Sequence, residues 1–346
     1  NTLGTINYHK SSYDEAIKYY KKTINIKKEI GDRRGIATSL NNIGAIYDNQ
    51  GAYDKALKYH KDSLAIREEI GHKEGISASY NNIGIVFYNK GNYDEALRYY
   101  KKSLDINKEI GEIKNISFLL NNIGNVYSHT GDYDTALKNY RESLAIKEKL
   151  GDTNGLSYSY TNIANVYDEM GYYEKALFYH NKSLEIRQRL GNKYGIAYSY
   201  ERIGKVYVEK GLYGEAMKYL SKSIKLQKDI KVEFFGTYIY TGKCLIHIDK
   251  FKEETLKHIT ELTGLEENPA SYFMYIIKAS SKHNNVEYLV PALYEYGKYL
   301  YQSGKQSDGI DKIKQAKEKA EKSGMQGELK KISVICKELG IDSLSL

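Results

Sequence analysis

Asparagine recurs along this chain at a spacing that could serve hydrogen bonding. The pair at 41–42 is followed by pairs at 81–82 and 121–122, and a single asparagine stands one further step on. An asparagine side chain carries two N–H donors and a carbonyl acceptor, so it complements a peptide group. Asparagine is a mediocre helix former, and its repetition inside a helical pattern needs a reason. We expect four of these amides to contact a polypeptide ligand: Asn42, Asn82, Asn122 and Asn162.

Other side chains fall on the same stripe when the surrounding residues are placed on a helix. They add aromatic area, further amides and two positive charges: Phe118, Tyr158, Tyr198, Asn125, Asn165, Arg202 and Lys205. Large aromatic side chains often anchor interfaces. Two basic residues are too few for a clamp in which several lysines and arginines hold a carboxylate. An alternative stays open for the pairs, because one asparagine of each could brace the neighbouring repeat instead of touching ligand.

The remaining reactive residues indicate neither catalysis nor metal binding. His60 and His180 occupy a position that Tyr100 and Tyr140 hold elsewhere, which favours a packing role. No histidine pair has metal-ligand spacing, and two cysteines make neither a disulfide framework nor a zinc cluster. No glycine-rich phosphate loop and no nucleophile–base set is evident. We therefore expect no cofactor, no metal and no enzymatic activity in this region.

The elements that would position the asparagines repeat every 40 residues. Glycine marks three registers of that period, with one alanine replacing it: Gly31, Gly71, Gly111, Gly151 and Gly191; Gly51, Gly91, Gly131, Gly171 and Gly211; Gly44, Gly84, Gly124, Ala164 and Gly204. Leu40, Ile43, Gly44 and Tyr47 show the spacing of one helix face. Gly51 is placed to end that helix.

A second helix follows in each repeat. Apolar or small residues continue the helical spacing from Tyr53 through Ala56 and Leu57, and Asp54 suits the positive end of the helix dipole. Gly71 then stops the helix. The repeat is predicted to be two antiparallel helices of about 15 and 18 residues, given the span of the apolar pattern.

This unit resembles the tetratricopeptide repeat. The matching positions in one unit are Leu40, Ile43, Gly44, Tyr47, Ala56, His60 and Ser63. The usual unit is 34 residues long, and the extra six are expected to lengthen the second helix. The resemblance implies an all-α, right-handed superhelical solenoid of helix pairs, with first helices lining a concave groove that binds a peptide or protein. Arrays of this family use an asparagine at the position of Asn42 for such contact.

The period also suggests boundaries. Residues 1–230 read as the regular array, with a partial repeat at 1–30 and full repeats at 31–70, 71–110, 111–150, 151–190 and 191–230. Since Gly4 corresponds to Gly44, the chain is expected to open inside a first helix, as a fragment of a longer protein. Residues 231–346 are interpreted as degenerate repeats with a C-terminal capping helix, or alternatively as a small separate helical domain. There Phe251 matches Tyr53, but Glu254 stands where alanine belongs.

Three functions fit this reading. The resemblance favours the C-terminal sensor or interaction region of a larger bacterial signalling protein, of the STAND ATPase, histidine kinase or CHAT protease type. A peptide-pheromone receptor or regulator is the first alternative, and a scaffold for self-association is the second. Contact with an effector domain upstream of Asn1 would fit the first function.

Bulk composition sets the remaining limits. Most of the formal charge of +8 falls in residues 1–230, on lysines such as Lys61 and Lys101 that we place on an outer, solvated face. A nearly neutral groove argues against a nucleic-acid partner. The longest apolar stretch, Tyr272 to Ile277, is far short of a membrane helix, so no membrane partner is expected. Two distant cysteines suit a reducing, cytoplasmic location.

Overall fold

The computed structural model describes residues 12–247, 253–282 and 285–342. These residues form α-helices joined by short turns and contain no strand. The chain divides into two compact units, Asn1–Asp152 (unit 1) and Thr153–Leu346 (unit 2). The all-α prediction is confirmed.

The described residues of unit 1 form seven helices. They are α1 (Ser12–Glu29), α2 (Arg33–Asn49), α3 (Tyr53–Glu69), α4 (Lys73–Asn89), α5 (Tyr93–Ile110), α6 (Ile113–Thr130) and α7 (Tyr133–Leu150). The first and second helices of a repeat have nearly the same length, with 17 residues each in α2 and α3 and with 17 and 18 residues in α4 and α5. The expectation of about 15 and 18 residues was therefore wrong, because the additional turns are not confined to the second helix.

Unit 2 begins with two further regular pairs. Its helices are α8 (Thr153–Glu169), α9 (Tyr173–Arg189), α10 (Lys193–Glu209), α11 (Tyr213–Asp229), α12 (Phe235–Leu245), α13 (Glu253–Thr263), α14 (Pro269–Lys282), α15 (Val286–Gln302), α16 (Gln306–Lys322) and α17 (Gln326–Leu339). The apolar stretch noted in the sequence lies in α14, where Tyr272, Phe273 and Ile276 are fully buried. Gly4 and Phe251 lie outside the described residues, as does the side chain of Glu254.

Local sequence explains where the helices begin and end. The carboxylate of Asp32 accepts a hydrogen bond from the Gly35 amide at 2.7 Å and caps α2, as short polar residues do at helix N-termini. A Cβ at position 35 would lie 2.5 Å from that carboxylate, so a larger residue there would displace the capping side chain. Gly51 follows α2 with φ of +72°, the left-handed conformation that favours glycine.

Within each pair, a small residue on the first helix faces a large one on the second. A Cβ at Gly84 would lie 2.7 Å from the ring of Tyr100, and two repeats further on Ala164, at the same position, is fully buried. The same offset returns in the divergent region, where a Cβ at Gly297 would lie 2.7 Å from the side chain of Ile313. The helix pair α15–α16 thus keeps the packing rule of the regular array.

Two sets of buried polar contacts add to the apolar packing. The Ser63 hydroxyl donates to the Ala37 carbonyl at 2.7 Å and joins the two helices of one repeat. Arg67 Nη1 donates to the Gly75 carbonyl at 2.8 Å and reaches the Ser79 hydroxyl at 2.9 Å, both in the next repeat. Because buried donors cost free energy when unpaired, these contacts fix the stacking of neighbouring repeats.

Candidate ligand-binding face

The paired asparagines of unit 1 form a side-chain ladder between successive first helices. Asn82 Nδ2 on α4 donates to Asn41 Oδ1 on α2 at 2.7 Å. Asn122 Nδ2 on α6 donates to Asn81 Oδ1 on α4 at 3.0 Å. We call these four residues the amide ladder. The second asparagine of one repeat thus reaches back to the first asparagine of the preceding repeat, which realises the bracing role left open by the sequence.

Asn41 also reaches the second helix of its own repeat. His60 Nδ1 lies 2.9 Å from Asn41 Oδ1, and His60 is only 2 % exposed. Burial lowers the pKa of His60 to about 4, with a smaller contribution from the charge of Arg67. The imidazole is therefore neutral near pH 7, and its Nδ1–H donates to the same oxygen that Asn82 uses. The expected packing role of this histidine is confirmed.

The ladder leaves part of each amide unused. Asn82 and Asn122 are half-buried, and each gives one N–H to the ladder. Among the described residues, no hydrogen bond to the Oδ1 of either residue is formed. Asn42, at the start of the series, is half-buried as well. The bracing role and the ligand role are therefore compatible, because an amide has more than one hydrogen-bonding group.

Polar contacts that the sequence did not reveal flank the ladder. Asn89 Nδ2 donates to the Asp48 carboxylate at 3.0 Å, again between α4 and α2. Burial raises the pKa of Asp48, and the Asn89 contact opposes that shift. The Tyr140 hydroxyl donates to Asn125 Oδ1 at 2.7 Å, so this amide, expected to face ligand, serves at least partly in packing.

The aromatic residues expected on this face differ in exposure. Phe118 in unit 1 is 44 % exposed and Tyr158 in unit 2 is 52 % exposed, whereas Tyr198 is half-buried. The Arg187 guanidinium lies 5.6 Å from the ring centroids of both Tyr158 and Tyr198. Such cation–π contacts hold aromatic rings in place. Unit 2 therefore presents partly exposed, oriented rings.

Lys205 is not an unpaired cation. Its Nζ lies 2.6 Å from Asp168 and 3.1 Å from Glu169 on the preceding first helix. Burial alone would lower the pKa of Lys205, but Tyr240 and these two carboxylates raise it overall. The positive charge that the sequence assigned to the groove at this position is neutralised internally.

Arg202 differs from Lys205. Its nearest carboxylate oxygen, Glu201 Oε1, is 3.6 Å away, beyond hydrogen-bonding distance. The guanidinium lies 4.7 Å from the centroid of the Tyr198 ring. Asn162 and Asn165 are half-buried on α8, so unit 2 carries amides, aromatic rings and one guanidinium on its first helices.

The described residues contain no group of three histidine, cysteine, aspartate or glutamate side chains that could hold a metal ion. His180 is 1 % exposed, and burial lowers its pKa well below the usual value. The lysines assigned to the outer face, including Lys61 and Lys101, are exposed on second helices. No helix among the described residues is long and apolar enough to cross a bilayer.

In each unit, consecutive antiparallel helices of similar length pack as pairs, and this arrangement defines a helical-repeat protein. The tetratricopeptide repeat model matches residues 1–69, 35–109, 75–149, 115–189 and 156–229. The chain belongs to the tetratricopeptide repeat family, and its fold is that of a scaffold for protein interaction.

Solved structures with this fold include signalling proteins. A STAND signal-transduction ATPase with a tetratricopeptide repeat sensor, from Pyrococcus horikoshii, aligns with a TM-score of 0.64 at 19 % identity, over 82 % of this chain and 42 % of that one. Aspartyl phosphate phosphatase F from Bacillus subtilis aligns with a TM-score of 0.66 at 12 % identity, over 85 % and 73 % of the two chains.

A Rap protein complexed with competence and sporulation factor aligns with a TM-score of 0.62 at 14 % identity, over 94 % of this chain and 90 % of that one. At such identities the likeness shows the fold alone. A search of curated proteins found no match to this sequence.

Proposed function

We propose that the chain binds a peptide or protein segment on its first helices, at the face that carries Asn42, Asn82 and Asn122 in unit 1. The observation that carries this proposal is the amide ladder. It holds the half-buried amides of Asn82 and Asn122 one repeat apart, and it leaves the Oδ1 of each without a partner among the described residues. A polypeptide backbone offers N–H groups at a regular spacing that could use them.

The ladder also gives the surface a fixed geometry. Asn41 is held from two sides, by His60 and by Asn82, so the orientation of the amide plane is set before any ligand arrives. Preorganised groups lose less conformational entropy on binding. The Phe118 ring, 44 % exposed on α6, adds the apolar area that amides lack.

For the biological setting, we propose the sensor or interaction region of a larger bacterial signalling protein. The tetratricopeptide repeat sensor of the STAND ATPase supports this setting, since it has the same fold and this chain covers 42 % of that protein. In such a region, binding on the first helices would report a ligand to a catalytic neighbour.

A second candidate is a peptide receptor of the pheromone type. The observation that favours it is the alignment with the Rap protein complexed with competence and sporulation factor, which extends over 94 % of this chain. Both candidates use the same face. They differ in whether the ligand is a short free peptide or a segment of a larger protein.

Site-specific photo-crosslinking tests the face itself. A photoreactive amino acid is placed at Ala78, an exposed residue one turn before Asn82 on α4, and separately at Asp105, an exposed residue of the second helix α5. We expect crosslinks to a peptide or protein partner from position 78 and few from position 105. Equal crosslinking, or crosslinking from position 105 alone, would show that the first helices are not the binding face.

A further inference from the structure

Unit 2 contains a guanidinium whose hydrogen-bonding capacity is unused. Arginine presents five N–H donors in a planar fork, yet Arg202 donates no hydrogen bond to any described residue, and its buried Nε has no partner. The Arg202 side chain is 22 % exposed to solvent. Buried donors without acceptors are costly, so this group is poised for an acceptor that the described residues do not supply.

The surroundings hold the guanidinium in one place. The Tyr198 ring lies against it, with 4.7 Å between the ring centroid and Cζ, and Tyr198 in turn contacts Phe234 edge to face at 6.1 Å. A guanidinium that stacks on a ring still offers its edge to a ligand. The aromatic contact therefore orients the fork and leaves its donors available.

Apart from Glu201, the neighbouring carboxylates form ion pairs with lysines and not with Arg202. Lys205, one turn further along α10, takes up Asp168 and Glu169. Lys243 Nζ on α12 forms ion pairs with Glu209 at 3.2 Å and with Glu295 at 3.1 Å. Each of these carboxylates already has a cation, so none of them satisfies the donors of the half-buried Arg202.

Glu201 is the exception, and it limits what Arg202 can hold. It is 1 % exposed, and its Oε2 accepts a hydrogen bond from the Thr237 hydroxyl at 2.7 Å. Its other oxygen, at 3.6 Å from Arg202, keeps a negative charge close to the fork. A second anion there meets some repulsion, so one negative charge is tolerated better than two.

We propose that Arg202 anchors a carboxylate of the bound polypeptide. The planar fork matches the two oxygens of a carboxylate in a bidentate pair, and the single charge suits the nearby Glu201. This inference rests on the proposed polypeptide binding and adds the chemistry of one ligand group. The carboxylate comes from an aspartate or glutamate side chain or from the ligand's C-terminus.

Affinity selection with the full chain tests the proposal. The probes are pools of short, randomised, N-acetylated peptides that are identical except that one contains Asp and Glu where the other contains Asn and Gln. Each pool is made with a free and with an amidated C-terminus. The variants are Arg202→Gln, Arg202→Lys and the control Arg189→Gln, which alters an exposed arginine paired with Glu185 on the second helix α9.

The wild type and Arg189→Gln are expected to retain acidic peptides over their amide counterparts by roughly 10- to 100-fold, the range of a hydrogen-bonded charge pair. Arg202→Gln loses this preference and keeps binding to the amide pool, while Arg202→Lys restores part of it. A preference that disappears on C-terminal amidation assigns the carboxylate to the peptide end, and one that survives assigns it to a side chain.

An acid preference that is unchanged in Arg202→Gln would overturn the carboxylate site and leave polypeptide binding intact. A wild type that retains both pools equally would do the same. A wild type that retains no pool would overturn the proposed polypeptide binding and this inference with it. Circular dichroism of each variant confirms that the helices are present.

Discussion

Asn82 donates a hydrogen bond to Asn41 across 2.7 Å, although the two residues lie 41 positions apart. The contact joins the first helices of successive repeats and reaches His60 through the shared Asn41 oxygen. It makes the asparagine pairs structural, and it holds the unused amide groups in the register on which the proposed binding depends.

Asn41→Ala should destabilise the protein more than Asn82→Ala. The first change leaves the buried Nδ1–H of His60 without an acceptor, which costs about 1–3 kcal/mol. The second removes one half-buried hydrogen bond, worth about 1 kcal/mol. Urea unfolding, followed by circular dichroism, measures the free energy of unfolding of each variant. Asn181→Ala is the matched control, because Asn181 Nδ2 bonds only the Leu177 carbonyl of its own helix. A larger loss of unfolding free energy in Asn82→Ala than in Asn41→Ala would contradict the role of Asn41 Oδ1 as an acceptor that His60 and Asn82 share.

His60→Tyr should reduce the loss of stability in mild acid. The pKa of His60 is about 4 in the folded state, against about 6.5 when unfolded. The unfolded chain binds the proton first, so stability is complete above pH 6.5. It falls by about 1.4 kcal/mol per pH unit between 6.5 and 4. Tyrosine occupies this position at Tyr100 and is 2 % exposed there.

Unfolding midpoints of the wild type and His60→Tyr, measured between pH 7.5 and pH 4.5, separate this contribution from the carboxylates, which titrate in both proteins. The difference should change steadily below pH 6.5. A difference that is constant with pH would show that the histidine is not buried in its neutral form.

Thr161→Asn should stabilise unit 2. His180 has no hydrogen-bond partner for either ring nitrogen among the described residues, and Thr161 stands where its sister repeat has Asn41. The Thr161 hydroxyl lies 2.9 Å from Ser183 instead. An asparagine would supply the acceptor that His60 has, worth about 1 kcal/mol. Thr161→Val is the control that removes the hydroxyl without adding an amide. Equal unfolding midpoints for the two variants would refute the prediction.

Lys205→Met should cost far more stability than Arg202→Met. The first leaves the carboxylate of Asp168, whose side chain is 3 % exposed, without its cation, and breaking one partner of a buried pair costs about 3–5 kcal/mol. The second removes a guanidinium that makes no hydrogen bond to the described residues, at a cost of about 1 kcal/mol. Thermal unfolding gives the comparison, and Asp168→Asn in the Lys205→Met background should recover part of the loss.

The sequence predicted the helix pairs because glycine, alanine and aromatic residues recur in fixed registers. It also raised the bracing role of the asparagines as an alternative. It did not predict that Lys205 would meet Asp168 on the neighbouring helix, because a repeat period fixes positions and not distances between repeats. The role of Arg67 was missed for the same reason. The sequence does contain an indication of this role. A polar residue stands four places after the serine that recurs every 40 residues, as Arg67 does after Ser63.

The boundary at residue 230 and the ligand-contacting residues remain predictions. The packing of Gly297 against Ile313 shows that the divergent region keeps one rule of the regular array. A sequence pattern identifies such a rule where the residue types persist. It does not say which unused amide or guanidinium meets a partner, since that depends on a molecule outside the chain.

The most direct test of polypeptide binding on the first helices is the dissociation constant of the partner captured by crosslinking from position 78. We compare the wild type with Asn82→Ala/Asn122→Ala and with the control Asn139→Ala/Asn181→Ala, whose amides bond their own helices. Fluorescence titration should show affinity reduced by roughly 10-fold or more in the first-helix variant, as expected for two lost hydrogen bonds, and unchanged affinity in the control. Equal affinity of all three folded proteins would contradict the account.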